Sequence, residues 1–465
     1  MRDVIFTLIL MGLLPVSFLR PYIGMVVFSW LAYMRPQDLT WGFAKYERWS
    51  FYVAIIMFLG YLVQKRKTPL FVWDPRTFVF LVLILLVGAG VLTHPHPEHA
   101  DFQFSRFVEF IKIIGIALFT TGLVRNREQM RLLVWVIALS FGFYGVKNGL
   151  WGIATAGQSP ILRGPGGLML DNNDFSLALS MAIPMLWCIG TAEKRLVLRR
   201  AFLVCVPLTC FTVLLTHSRG GLLSMAAALG VLVWRSKHRT AAIALAFAAL
   251  PFAIVAMPAE MRERFASIAD YEEDGSANAR FRSWAVAVRM ATDNPALGVG
   301  MYNFRDRYLD YQPAPTPSEL AGKDIFVAHN SYLQIWAETG TLALLLYLSL
   351  IVMSFITVWR VRAKAKKHYR ASWIIDYATM FEASMAAFVV GSTFLNRAHF
   401  DLFYHWVALI LIFGRMAQAD LADRKKYPLK RTGGARMPVV QARERHFGGG
   451  LPAPVGATFA SGRAR

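Results

Sequence analysis

Charged side chains and cysteines are scarce in this sequence. Asp, Glu, Lys and Arg make up 17% of its 465 residues, where a soluble domain carries about 25%. An ordinary water-facing surface is therefore excluded for most of the chain. Only three cysteines occur, Cys188, Cys205 and Cys210. All lie in apolar runs, without CxxC spacing or a nearby histidine pair, which excludes a disulfide framework or a zinc site and leaves three small apolar side chains. Acidic residues are fewer than basic ones, 29 against 50, for a net charge of +21. That excess does not indicate nucleic-acid binding, because the basic residues cluster in the short connections between apolar runs, the pattern of a membrane protein.

What the sequence has in abundance is apolar length. Hydrophobic residues reach 56% and the mean hydropathy is +0.42. Runs long enough to approach a span of about 17–25 residues occur near 4–19, 21–34, 50–63, 76–92, 107–124, 132–154, 175–190, 201–216, 221–234, 241–257, 333–359, 374–395 and 402–418. The expected fold is an all-α polytopic membrane bundle of about 12–13 spans. The first run lacks a small-residue cleavage site and leads into another apolar run, so it counts as a membrane segment and not a signal peptide. Basic clusters at 64–67, 125–131, 194–200, 235–239 and 360–370 read as cytoplasmic. Alternation then puts 94–105, 157–174, 217–221, 258–331 and 396–404 on the opposite face. Three regions follow: an N-terminal membrane region (1–170), a second membrane region (171–418) containing the long polar loop 258–331, and a basic, disordered cytoplasmic tail (419–465) with ten Lys/Arg against three Asp/Glu.

Loops beyond about 12–15 residues are usually functional or disordered, and 258–331 far exceeds that. Within it, Asn278–Met290 has the spacing of an amphipathic helix, with Phe281, Trp284, Ala285, Val288 and Ala291 on its apolar side, Arg280 and Arg282 elsewhere, and Asn294-Pro295 as its stop. Tyr271–Gly275 reads as a surface turn. Arg219, in the short link His217-Ser218-Arg219-Gly220-Gly221, fits two readings. It is either a snorkelling anchor or, beside glycines that open a helix, a ligand for a phosphate oxygen. His329 likewise is either structural or a proton acceptor, with Asn330 and Ser331 as N-caps. Glu338 belongs in the bundle interior. Arg163-Gly164-Pro165-Gly166-Gly167 and Asp171-Asn172-Asn173-Asp174 form a second polar outer loop, whose glycine run is a weak phosphate signal. Glu109 and Lys112 are spaced to pair. Arginines and a histidine gathered on one membrane face suit a substrate with an anionic head and a lipid tail.

Taken in order, Thr216–Gly221, Ala279–Trp284, Asn294–Gly300 and His329–Tyr332 with Glu338-Thr339-Gly340 resemble the O-antigen ligase/polymerase superfamily of bacterial envelope glycosyltransferases. Met1-Arg2-Asp3, Gly12–Pro15, Tyr33–Pro36 and Leu39–Ala44 are similar to the O-glycosylation ligases associated with exosortase systems. The match departs from that subgroup at Arg35 and Gln37, where Asn and His are usual, and at Arg282, a less basic position there.

The resemblance implies a largely helical, lipid-sugar-using glycosyltransferase of the bacterial inner membrane. It would transfer a glycan from undecaprenyl pyrophosphate to an acceptor hydroxyl on a protein or lipid at the periplasmic face, with no metal or cofactor. Its implied catalytic residues are Arg219, Arg280 and His329. Arg163, Asn172, Asn173, His217, Arg282, Asn330 and Glu338 are further substrate contacts. A polysaccharide polymerase is the alternative. A lipid-linked sugar transporter is disfavoured, because the chain shows no pair of similar halves.

Overall fold

In the computed structural model the described residues are 1–64, 69–96, 98–237, 239–241, 243–244 and 275–430. The expected run 241–257, the turn 271–275 and the tail beyond 430 lie wholly or largely outside them, as do the basic residues 65–67. The described part is all-α, with only two isolated β-bridges. Eight helices are long and apolar enough to cross a membrane: α1 (Arg2–Leu19), α4 (Pro75–Thr93), α6 (Arg127–Ala154), α7 (Asn172–Ala192), α8 (Leu196–Leu215), α13 (Thr341–Ala365), α14 (Ser372–Ser392) and α15 (Asp401–Ala422). Between them lie α2 (Pro21–Tyr33), α3 (Trp49–Val63), α5 (Ala100–Leu123), α9 (Arg219–Arg235), α10 (Gly275–Asp293), α11 (Pro317–Leu320) and α12 (Ser331–Thr339). The expected 12–13 spans are thus eight of membrane length among the described residues. The runs 21–34 and 50–63 give shorter apolar helices, and 107–124 becomes the longer, more charged α5.

Burial ranks the helices from lipid to core. The apolar stretch of α7 is 89% buried, that of α15 78%, and that of α1 only 17%. Helix α7 is the axis: it packs on α6, α8, α9 and α14, while α15 packs on α5 and α13. Helix starts follow local chemistry. Asp74 and Thr77 form a reciprocal capping box on α4, with Pro75 at its first position, and Asn126 caps α6.

Four expectations are corrected. The run 333–359 is not one span: Gly340 (φ 90°) separates α12 from α13. A Cβ there would come within 2.4 Å of the Ala296 carbonyl, and one on Gly298 equally close to that of Ala337. The break is therefore a tight backbone crossing, closed by Val299 N–H donating to Ala337 O (2.8 Å) and Thr341 N–H to Pro295 O (2.8 Å). The loop helix α10 forms, but it buries Ser283, Val286, Ala287 and Met290 and leaves Phe281 and Val288 exposed, because the helix rests on α12. Glu109 pairs with Arg106 (2.8 Å) and not with Lys112, which lies over the Phe51 ring. Order also continues past 418, since α15 runs to Ala422 and the Tyr427 ring is buried, its hydroxyl bonded to Asp420.

The two ends of the bundle differ. At one end, Arg235 (α9) and Arg362 (α13) both pair with Glu382 of α14, and Arg127 lies over Trp373, so several of the basic clusters meet. At the other end the segments 163–174, 217–221, 299–331 and 396–400 meet, joined by bonds such as Asn172 Nδ2 to Thr216 O (2.7 Å) and Ser331 Oγ to Leu395 O (2.7 Å).

Candidate active site

Two histidines are set by the same local device. Ser218 Oγ accepts from Gly221 N (3.0 Å) at the start of α9. Asn330 Oδ1 accepts from Tyr332 N (3.0 Å) and Leu333 N (3.1 Å) at the start of α12. His217 and His329, each one residue ahead of the cap, both adopt left-handed backbone (φ 53° and 46°). That conformation costs a non-glycine residue about 1–2 kcal/mol, and strain of this kind tends to gather at functional sites.

His329 lines a cavity of about 280 Å³ together with Asp171, Asn173 and Asp174 at the start of α7, Tyr302 and Gln334, and the link Leu395–His399. Burial and the positive charge of Arg280 hold the His329 imidazole below its ordinary range, with Asp171 pulling weakly the other way. The ring is therefore neutral at neutral pH and able to accept a proton. Arg280 is close enough for its charge to be felt there, so α10 and the His329 segment share one electrostatic environment. Burial lowers Arg397 to about 10 and His399 to about 4, and raises Tyr302 to about 12. At neutral pH the cavity thus has a cation, a second neutral imidazole and a phenol that keeps its proton.

Its polar atoms are incompletely satisfied. Arg397 pairs with Asp174, yet Arg397 Nε, Asn396 Oδ1 and His399 Nε2 are buried without a hydrogen-bond partner. Buried polar groups are nearly always paired, so three orphans within four residues mark a place where an incoming polar group would be bound. Among the described residues no three His, Cys, Asp or Glu side chains are grouped to hold a metal ion.

The expected residues divide into those near the cavity and those apart from it. Asn173 lines it and accepts from Ser218 Oγ (2.7 Å), which brings the link containing Arg219 alongside. Arg219 itself, half-buried at the first position of α9, does not line it. Asn172 is spent on Thr216, His217 is buried, and Asn330 is spent as a cap. Arg163 is exposed and bridges Asp171 through its backbone. Arg282 is engaged by Glu319, which also accepts from Tyr308 (3.0 Å), so it fastens the loop upon itself. Glu338 is not in a span: it is buried on short α12, bonded by Gln334 Nε2 (3.2 Å) and raised by burial to about 7. Sequence reasoning passed over Arg397 and His399, and placed Asp171 and Asp174 in a polar outer loop without giving them a role. The signal was available in Asn396-Arg397-Ala398-His399, a cation and an imidazole in a short link between two apolar runs.

Residues 201–348 match the O-Antigen ligase family, and residues 1–181 match a family of unknown function (DUF5935). No curated protein matches the chain. An O-antigen ligase family domain is therefore present over part of a bilayer-embedded, all-α polytopic chain, and the match supports ligase-like enzymatic activity at the level of that family. The matched stretch holds His217, Arg219, Arg280, His329 and Glu338. Asp171, Asn173 and Asp174 fall in the N-terminal match, and Arg397 lies beyond both.

Proposed function

We propose that this protein is a glycan ligase that transfers an oligo- or polysaccharide from undecaprenyl pyrophosphate to a hydroxyl of a protein or lipid acceptor at the periplasmic face. The observation that carries this reading is His329 lining a cavity, its imidazole held below the ordinary range by burial and by the charge of Arg280, within a stretch matched to O-antigen ligases. The acceptor oxygen attacks the anomeric carbon and its proton passes to His329, a role worth about 10²–10⁴ in rate. The bond from that carbon to the diphosphate oxygen breaks, and the electron pair leaves with the lipid diphosphate. Arg219 and Arg280 bind the charge that grows there, a kind of stabilisation worth about 10²–10³ per donor. Direct attack inverts the anomeric centre. Arg397 and Asn173 are further contacts for the substrate. Arg282 is left to its structural pair with Glu319.

The assignment to the exosortase-associated O-glycosylation ligases rests on the N-terminal phrases alone, since the 1–181 match is to a family of unknown function. The test is glycan transfer in membranes carrying Arg219→Ala or His329→Ala at normal insertion levels. Loss of transfer supports the assignment and near-normal transfer in either variant overturns it. A product found as longer carrier-linked chains, with none on protein or lipid acceptor, would make the enzyme a polymerase.

A further inference from the structure

At the end of the bundle opposite the His329 cavity lies a larger cleft of about 700 Å³, within the range of about 300–1,000 Å³ typical of ligand sites. It opens where the α1–α2 junction meets the starts of α6 and α8. Ile23, Leu132 and Trp135 are among its walls, and Arg20, Arg125, Arg131 and Arg195 stand at it. Among the described residues no carboxylate lies within ion-pair distance of any of these four arginines.

Two carboxylates also face the cleft. Glu193 is committed elsewhere, its Oε1 accepting from Lys194 N and Arg195 N (2.9 Å each), and Glu128 is exposed. Four guanidinium groups against two carboxylates leave a net positive mouth over an apolar interior. Arginine presents a planar fork that suits phosphate oxygens. Arg20 sits at the end of α1, the least buried of the membrane-length helices, so a molecule can reach the cleft from the lipid side.

We infer that this cleft is a binding site for an anionic phospholipid, with the phosphate held by the arginines and an acyl chain laid along Ile23, Leu132 and Trp135. Basic pockets between helices at a membrane surface recognise such headgroups. A soluble anion would gain nothing from the apolar walls, and a zwitterionic lipid would gain little from four unpaired cations. The site is separate from the proposed glycan chemistry and does not rest on it.

The full-length protein, purified in detergent and delipidated, is titrated with phosphatidylglycerol and with phosphatidylcholine of the same acyl chains, and bound lipid is counted by native mass spectrometry. Retention of phosphatidylglycerol at least about tenfold above phosphatidylcholine is expected, since each arginine contributes about fivefold. Arg131→Gln with Arg195→Gln should reduce that preference by more than tenfold, while Arg131→Lys with Arg195→Lys keeps most of it. Arg20→Gln, at a helix junction, is the further variant should the first pair not insert, and it should lower the preference about fivefold. Equal retention of both lipids, or a preference unchanged by loss of the arginines, would overturn the site. So would displacement of phosphatidylglycerol by millimolar inorganic phosphate, which would make the ligand a free anion.

Discussion

Glu338 is expected to make the protein less stable as pH rises through the neutral range, and the isosteric Glu338→Gln to remove that dependence. Its carboxyl is fully buried, and burial lifts it from an ordinary 4.5 to about 7, against the opposing bond from Gln334. The native state therefore holds this proton more tightly than the unfolded chain does. Stabilisation from the bound proton is complete below about pH 4.5 and is lost as pH climbs past 7. At 1.36 kcal/mol per pH unit the loss amounts to about 3 kcal/mol. Glutamine keeps the acceptor for Gln334 and, like the protonated acid, carries no charge. Thermal unfolding of parent and variant in detergent, followed by tryptophan fluorescence between pH 5 and 8.5, reads the difference directly. The curves should nearly coincide at pH 5, and the variant should melt higher at pH 8.5. A parent whose pH dependence matches that of the variant would show that Glu338 ionises in the folded protein as it does in the unfolded chain, and the burial argument would fail.

Three further outcomes follow from the geometry. Gly298→Ala puts a Cβ 2.4 Å from the Ala337 carbonyl at φ +66°, so it should cost more than about 2 kcal/mol in the same melting assay; Gly12→Ala, which meets nothing within 4 Å, should be neutral or slightly stabilising. Ser218→Ala removes the cap of α9 and the tether to Asn173, with about 1 kcal/mol lost in unfolding and a transfer defect larger than that loss explains. Arg280→Gln removes a charge that opposes protonation of His329, so the acidic limb of the transfer rate against pH should move to higher pH; an unmoved limb would separate the two residues.

Most of the architecture was legible because membrane spans are written in one dimension. Apolar length alone located the membrane-length helices, and the basic clusters correctly grouped the segments that meet at each end. The errors came where a local rule had no access to tertiary neighbours. Nothing in the run 333–359 announces that Gly340 ends a helix; the reason lies in Ala296, whose carbonyl passes 2.4 Å from where a Cβ would stand. On α10 both faces carry apolar residues, so spacing could not choose between Phe281/Val288 and Val286/Met290, and contact with α12 decided it. Asn330 was legible as a cap, since a short side-chain amide before a helical run has one common use. Arg397 was missed because a lone arginine between two runs looks like an interfacial anchor until Asp174 is seen beside it.

The contrast between two groups of buried charge separates structure from function more sharply than conspicuous residues do. Glu382 is saturated: Arg235 donates to it twice, and Arg362 and Trp359 once each, leaving only the buried Nε of Arg362 over. Such a network compensates its own desolvation and asks for nothing more. Around His329 the accounts do not close in this way. Arg397 Nε, Asn396 Oδ1 and His399 Nε2 lie beside a cavity with no partner, and each buried orphan costs about 1–3 kcal/mol. A fold selected for stability alone would have filled the space or removed the polar groups. Keeping both, next to a histidine in a strained backbone conformation, fits a site whose missing hydrogen bonds are made by substrate. On the proposed chemistry the Arg397 Nε–H donates to the arriving diphosphate and Asn396 Oδ1 accepts from a hydroxyl of the glycan, so the free energy withheld from the empty protein becomes available for binding substrate.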